Sequence, residues 1–179
     1  MKIVKERFTN ITEVCLDGNT YENCDFSNMI VDYEVLSKVK FINCNFSNSI
    51  FTQCGFHYCH FKNCNLVGTS FINCTIKNSD ITASNGMYLN ISGNVLEKIK
   101  FEDNNFKEMR FIYNQLKNVI FNNCNMYKLT LLKTKLNGIN LSTCDISGMT
   151  FNPNDVTGLE VSPNQAVEMI KNFGVIVKF

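Results

Sequence analysis

A chain of 179 residues, 45% of them apolar, is long enough for one compact domain or one short repeat array with a continuous core, which excludes intrinsic disorder and collagen-like structure. Seventeen Lys and Arg against 16 Asp and Glu leave a net charge of +1, too weak a field to steer unaided nucleic-acid binding, so no direct nucleic-acid partner is expected. Nine cysteines, with no apolar leader in Met1–Asn10 and no run approaching the ~20 apolar residues of a membrane span, point to free thiols in a reducing cytoplasm and to no membrane partner.

From Ile11 a period of five governs the chain. Stepping by five to Val161 meets 31 positions, of which 30 are apolar or aromatic, and 12 of the 15 Phe lie in this phase. Neither a helical period of 3.6 nor a strand period of 2 produces such a pattern. Two residues before each central position lies a second inward phase holding Cys24, Cys44, Cys54, Cys59, Cys64, Cys74, Cys124 and Cys144, together with Ser49, Thr69, Ser79 and Ser84. Close packing beside a large central side chain favours small residues at this phase. Two residues after each centre stand Gly18, Gly68, Gly93, Gly138, Gly148 and Gly158 and nine asparagines, types that accept positive φ in a tight turn. Each pentad is therefore a short extended step and a corner, and successive corners wind a solenoid with coils about 4.8 Å apart.

Along the chain the first irregularity is Glu34, an acid in an inward phase beside Tyr33, where an unpaired carboxylate does not stay in a core. Residues 31–36 are expected to flatten or protrude, as a degenerate repeat or as a functional protrusion. His57 and His60 lie among Cys54, Cys59 and Cys64, but the cysteines point inward and the histidines outward, and no C-x-x-C pair exists. No metal site is expected there, nor a nucleophile with its base, nor a cofactor or small-molecule substrate site. Gly86 breaks the central phase within Ser84–Tyr88, which predicts a bulge or local loop that repositions Met87 and Tyr88. From residue 89 the small-residue phase alternates with period ten, Leu89, Ile99 and Met109 against Asn94, Asn104 and Asn114. Such alternation suits an even number of faces and predicts that Asn94 and Asn114 stack with their amides bonded along the axis.

After Val161 the period stops. The chain divides into 1–161, the repeat, and 162–179, a capping helix and apolar tail. Ser162 as N-cap, Pro163 at the first helical position and Gly174 beyond the end predict a helix over 163–172. The apolar residues Met169, Ile170, Phe173, Val175, Ile176, Val177 and Phe179 either cover the open end of the solenoid or form a homodimer interface. Charges segregate along the axis: residues 11–35 carry Glu13, Asp17, Glu22, Asp25, Asp32 and Glu34 with no base, and 111–144 carry only lysines. Asp17, Glu22, Asp25, Asp32 and Glu34, with Met87 and Tyr88, are the candidate partner contacts.

Units such as CDFSN at Cys24–Asn28, CNFSN at Cys44–Asn48 and CNLVG at Cys64–Gly68 resemble the pentapeptide-repeat family over residues 11–161. The resemblance implies an all-β solenoid, a right-handed quadrilateral parallel β-helix of about eight coils, ending in a short α-helix. The segment GLEVSPNQAVEMIKNFGVIV at Gly158–Val177 looks like the C-terminal segment of Qnr-type quinolone-resistance proteins, whose helix and tail mediate a head-to-head dimer. That similarity implies a non-enzymatic binding protein acting on DNA gyrase or topoisomerase IV. The family's DNA mimicry requires a negative stripe, and sorting charges by position modulo 20 yields none, so a scaffold for another protein partner stands as the alternative.

Overall fold

The computed structural model describes residues 1–178. The backbone climbs as a parallel β-solenoid in which residues twenty apart are neighbours: Thr75, Ile76 and Lys77 pair with Val95, Leu96 and Glu97, and these with Gln115, Leu116 and Lys117. Twenty residues per turn means four pentads and four faces, which we name by their central residues in one turn: Tyr21, Phe26, Val31 and Leu36. Strands are mostly three residues long because a corner interrupts every fifth residue. One column of bridges, Arg7, Asp25, Asn45, Asn65, Asn85, Asn105, Asn125 and Asp145, climbs the rod in seven steps. The solenoid therefore has about seven turns, not eight, and a length of about 34 Å. The shortfall arises at the ends, where Ile11–Glu13 and Pro153–Asp155 wind as 3-10 turns instead of adding rungs.

The central phase fills the interior. Rings one turn apart stack face to face, Phe26 on Phe46 at 4.8 Å between centroids, Phe51 on Phe71 at 5.3 Å and Phe101 on Phe121 at 4.8 Å, while neighbours within a turn meet edge-on, as Phe51 and Phe56 do. The corners turn as expected: the nine asparagines two residues beyond each centre have φ between +49° and +59°. Tyr33, Tyr58, Ala83, Tyr88 and Tyr113 hold the same conformation without the glycine or asparagine that favours it.

The second inward phase serves a purpose beyond saving space. At many corners the side chain at the second phase donates a hydrogen bond to the carbonyl of a central residue in the preceding turn, using a lone pair that the backbone leaves free. Cys44 reaches Tyr21 O at 3.4 Å, Ser49 reaches Phe26 O at 2.6 Å, Thr69 reaches Phe46 O at 2.8 Å, and Asn94 and Asn114 reach Phe71 O and Ile91 O at 3.0 and 2.9 Å. The oxygens of Ser79, Asn94, Asn104 and Thr134 also accept the otherwise orphaned N–H of the residue twenty positions earlier. The predicted Asn94–Asn114 stack forms, with Asn94 Nδ2 donating to Asn114 Oδ1 at 3.2 Å.

Both expected irregularities are corrected. Gly86 makes no bulge: its N–H donates to Asn105 O at 2.7 Å and its carbonyl accepts from Leu89, the pattern of its neighbours. The space a side chain would fill is taken by the Phe106 ring of the next turn, whose edge would lie 2.8 Å from a Cβ. Met87 and Tyr88 consequently keep regular outward positions. Residues 31–36 do not protrude either: Val31 and Leu36 are buried, and Ile30–Asp32 and Val35–Ser37 pair in register with Ile50–Thr52 and Gly55–His57. Glu34 is only half-buried, because the turn before it is the 3-10 segment and not a full coil.

The two ends are sealed differently. At the N-terminal end the Tyr21 hydroxyl accepts the Cys15 N–H at 2.8 Å and lies 3.2 Å from the Cys15 carbonyl, closing backbone that a Phe would leave open. At the other end the helix α1, Pro163–Lys171, starts with a capping box between Ser162 and Gln165. Gln165 Nε2 also donates to Leu141 O at 2.9 Å and Cys144 O at 2.6 Å, satisfying carbonyls of the last turn and fixing the helix across it.

Candidate interaction surfaces

The space bounded by Phe56, Phe61, Phe71, Ile91 and Phe101 measures only about 10 Å³ and is apolar, so it stays dry. A cleft of about 120 Å³ lies between α1 and the last turn, lined by Ile146, Met149, Gln165, Met169 and Asn172. The cysteines of the second phase are buried, and burial pushes the Cys59 thiol up to about 11. His57 and His60 lie on the outside of the wall whose inner side carries Cys54, Cys59 and Cys64, and His60 Nδ1 bonds Asp80 Oδ2 at 2.5 Å instead. Among the described residues no group of three or more His, Cys, Asp or Glu could hold a metal ion, and no helix is long and apolar enough to cross a membrane.

Function must therefore be read from the outer faces, which differ in chemistry. The Phe26 face carries a ladder of side-chain amides that sequence reasoning missed: Asn45 Nδ2 donates to Asp25 Oδ1 at 2.9 Å, Asn65 to Asn45 at 2.9 Å and Asn105 to Asn85 at 3.1 Å. Its signal, Asx at period twenty from Asp25 to Asp145, is present in the sequence one residue before each centre. The Leu36 face carries an ion ladder in which Glu97 lies between Lys77 and Lys117, at 3.6 and 2.9 Å. The hydrogen bond and charge of Lys117, with help from Lys77, hold the Glu97 carboxyl below its usual range.

The candidate partner contacts are not brought together. Asp17, Glu22, Asp25 and Asp32 sit on four different faces of the first two turns, a ring around the rod rather than a track along it. Two of them are paired by residues that precede the repeat: Lys2 meets Glu22, and Arg7 Nε lies 3.7 Å from Asp25. Burial opposes ionisation of Asp25, but hydrogen bonds from Ser27 and Asn45 and the charge of Arg7 outweigh it and hold the carboxyl below the usual range. Asp32 and Glu34 lie side by side across one corner, and Met87 and Tyr88 lie about three turns away at another corner. At the C-terminal end Met169 packs on the core and Val177 is half-buried, whereas Ile170, Phe173, Val175 and Ile176 are exposed, Ile176 by 84%. Phe179, the last residue of the expected interface, lies outside the described residues.

With the five-residue period and the twenty-residue ladder established, residues 34–111 match the family model described as the pentapeptide repeat region. Over these residues the chain is similar to the pentapeptide-repeat family. A search of curated protein sequences gives no match. Among solved structures, this chain is similar to a trypsin-treated form of QnrB1, a plasmid-mediated fluoroquinolone resistance protein, at 19% identity over 99% of this chain and 98% of that one, with a TM-score of 0.39. Full-length QnrB1 follows at 21% identity, covering 97% of each chain, with a TM-score of 0.31. HetL of the cyanobacterium Nostoc, involved in heterocyst differentiation regulation, is similar at 9% identity over 89% of this chain and 84% of that one, with a TM-score of 0.34. These likenesses assign no activity to this chain.

Proposed function

We propose that this chain is a non-enzymatic pentapeptide-repeat binding protein that dimerises through its C-terminal end and docks on a type II topoisomerase, protecting it from quinolones. The observation that carries the reading is the tail after α1. Gln165 and Asn172 close the last turn by hydrogen bonds to Leu141, Cys144 and Met149 and Phe173 packs edge-on against Phe151, so the exposed Ile170, Val175 and Ile176 are not needed as a lid. An apolar surface in excess of capping suits a two-fold contact with a second copy. Ile176→Asp is then expected to convert a dimer to a monomer in sedimentation velocity. Gyrase supercoiling with a quinolone present, titrated with the protein, tests the partner. Restored supercoiling at micromolar protein supports it, and no protection together with no gyrase binding rejects it.

A second reading, a scaffold for another protein, is favoured by the charge layout. The acids ring the N-terminal end and two of them are neutralised by Lys2 and Arg7, so a rod imitating the phosphates of duplex DNA lacks its negative track. Binding to a protein other than a topoisomerase, with the same dimer, separates the two.

A further inference from the structure

We infer that the corner between the Val31 and Leu36 faces in the first full turn is a docking surface for a basic segment of a partner protein that carries apolar side chains between its cations. Ile30, Tyr33 and Val35 are 72%, 76% and 55% exposed, and Ile50, the register partner of Ile30, extends the same patch by one turn. Val35 lies against Gly55 of the next turn, where a Cβ would meet His57 Nε2 at 3.1 Å and both valine methyl groups at 3.3 Å, so only a glycine leaves room for the two side chains. Scattered exposed apolar residues need no explanation, but Ile30, Tyr33 and Val35 crowd one corner and Ile50 stands in register beside Ile30, the arrangement of an interaction site. Tyr113, at a corner higher on the rod, instead lies under Lys133 at 4.9 Å.

Charge decides the occupant. Asp32 stands between Ile30 and Tyr33, and Glu34 between Tyr33 and Val35, neither with an ion-pair partner among the described residues, and Glu13 and Asp17 of the preceding turn are exposed on the same side. No base occurs between Asp25 and Lys38, and the facing segment Ile50–Gly55 is uncharged. A two-fold contact of this corner with its copy would bring two such acidic rims together and is disfavoured, whereas Lys or Arg interleaved with Leu, Ile or Val complements both the patch and its rim. This inference rests on the reading of the chain as a binding protein and not on the topoisomerase, so a negative gyrase assay leaves it standing.

The test uses the full chain and two fluorescein-labelled peptides, KIKVKLK and EIEVELE, followed by fluorescence anisotropy at 0.1 and 0.5 M salt. The basic peptide is expected to bind saturably, less tightly at high salt, to slow amide exchange over Ile30–Val35, and to lose at least tenfold in affinity with Ile30→Ser/Val35→Ser and, separately, with Asp32→Asn/Glu34→Gln. The charge variant alters only exposed or half-buried groups and keeps the test valid if the apolar variant loses its fold. Absence of binding, equal affinity of the charge variant, or equal binding of the acidic peptide overturns the inference. A fall in sedimenting mass with Ile30→Ser also overturns it, because the patch would then be a contact between copies.

Discussion

Replacing Asn94 by Ala tests whether the second inward phase is chosen for hydrogen bonding or only for size. Asn94 is fully buried; its Oδ1 accepts the Cys74 N–H at 2.7 Å and its Nδ2 donates to Phe71 O at 3.0 Å. Truncation orphans the Cys74 N–H in a dry core and leaves Phe71 O only its ladder partner, while Asn114 Oδ1 still accepts the Asn94 N–H at 3.0 Å. At about 1–3 kcal/mol for a buried orphan, the loss is about 1–3 kcal/mol, which for a chain of this size lowers Tm by roughly 2–12 °C. Asn94→Thr copies Thr134, whose hydroxyl accepts the Asn114 N–H at 2.9 Å and donates to Phe111 O at 3.3 Å, and is expected to recover at least half of the loss. Thermal and urea unfolding by circular dichroism give the global value, and amide exchange at Cys74 gives the local one, since a solenoid can unravel in segments. If Asn94→Ala lies within about 0.5 kcal/mol of wild type, the range of an ordinary surface substitution, or if Thr is no better than Ala, the hydrogen-bond account is wrong and size alone governs the phase.

Gly86→Ala places a methyl 2.8 Å from the Phe106 ring and is expected to lower stability by about 1–3 kcal/mol; Phe106→Leu in the same chain should restore part of it, and a neutral Gly86→Ala by urea midpoint would show that the ring does not fill that space. Cys15 is exposed and the other eight cysteines are buried, so Ellman's reagent at pH 8 should find one fast thiol in the native protein and nine in denaturant. Two or more fast equivalents would mean that the inward phase is assigned wrongly. Because Lys117 and Lys77 lower the folded pKa of Glu97, their interaction contributes stability above the unfolded value near 4.5 and loses it as pH falls through the lower folded value. Glu97→Gln should accordingly be less stable than wild type at pH 7 and equal to it at pH 3, and a constant gap between those pH values rejects the sign.

The core was legible because every side chain in it answers to one local rule: Phe41, Phe51 and Phe101 could be placed inside from the five-residue step alone, and Asn23 and Gly68 at corners from their tolerance of positive φ. What escaped the sequence lies one turn away. Gly86 looked like a break because its replacement, the Phe106 ring, enters from twenty residues later. Glu34 looked trapped because the irregularity of Ile11–Glu13, which leaves it a way out, has no counterpart in the period. The N-terminal acids looked unopposed because Lys2 and Arg7 join the ladder in a register of eighteen, pairing Lys2 with Thr20 and Arg7 with Asp25, and so lie outside the phase on which charge was sorted. The cysteines were placed correctly for an incomplete reason, since the corner carbonyls that they satisfy are invisible until the coils are stacked.

The twenty-residue ladder also behaves as a reading frame. Each turn takes its columns from the turn beneath, so a single inserted residue would exchange inward for outward positions in everything that follows. An insertion of five would preserve the inside yet rotate every later column by a quarter turn, parting Asn94 from Cys74 and Phe106 from Gly86. Only whole turns can be added or removed without penalty, so a rod of this kind lengthens by duplication in units of twenty residues. Its outer faces keep their separate chemistries only under such a change, because no smaller change in length leaves them aligned.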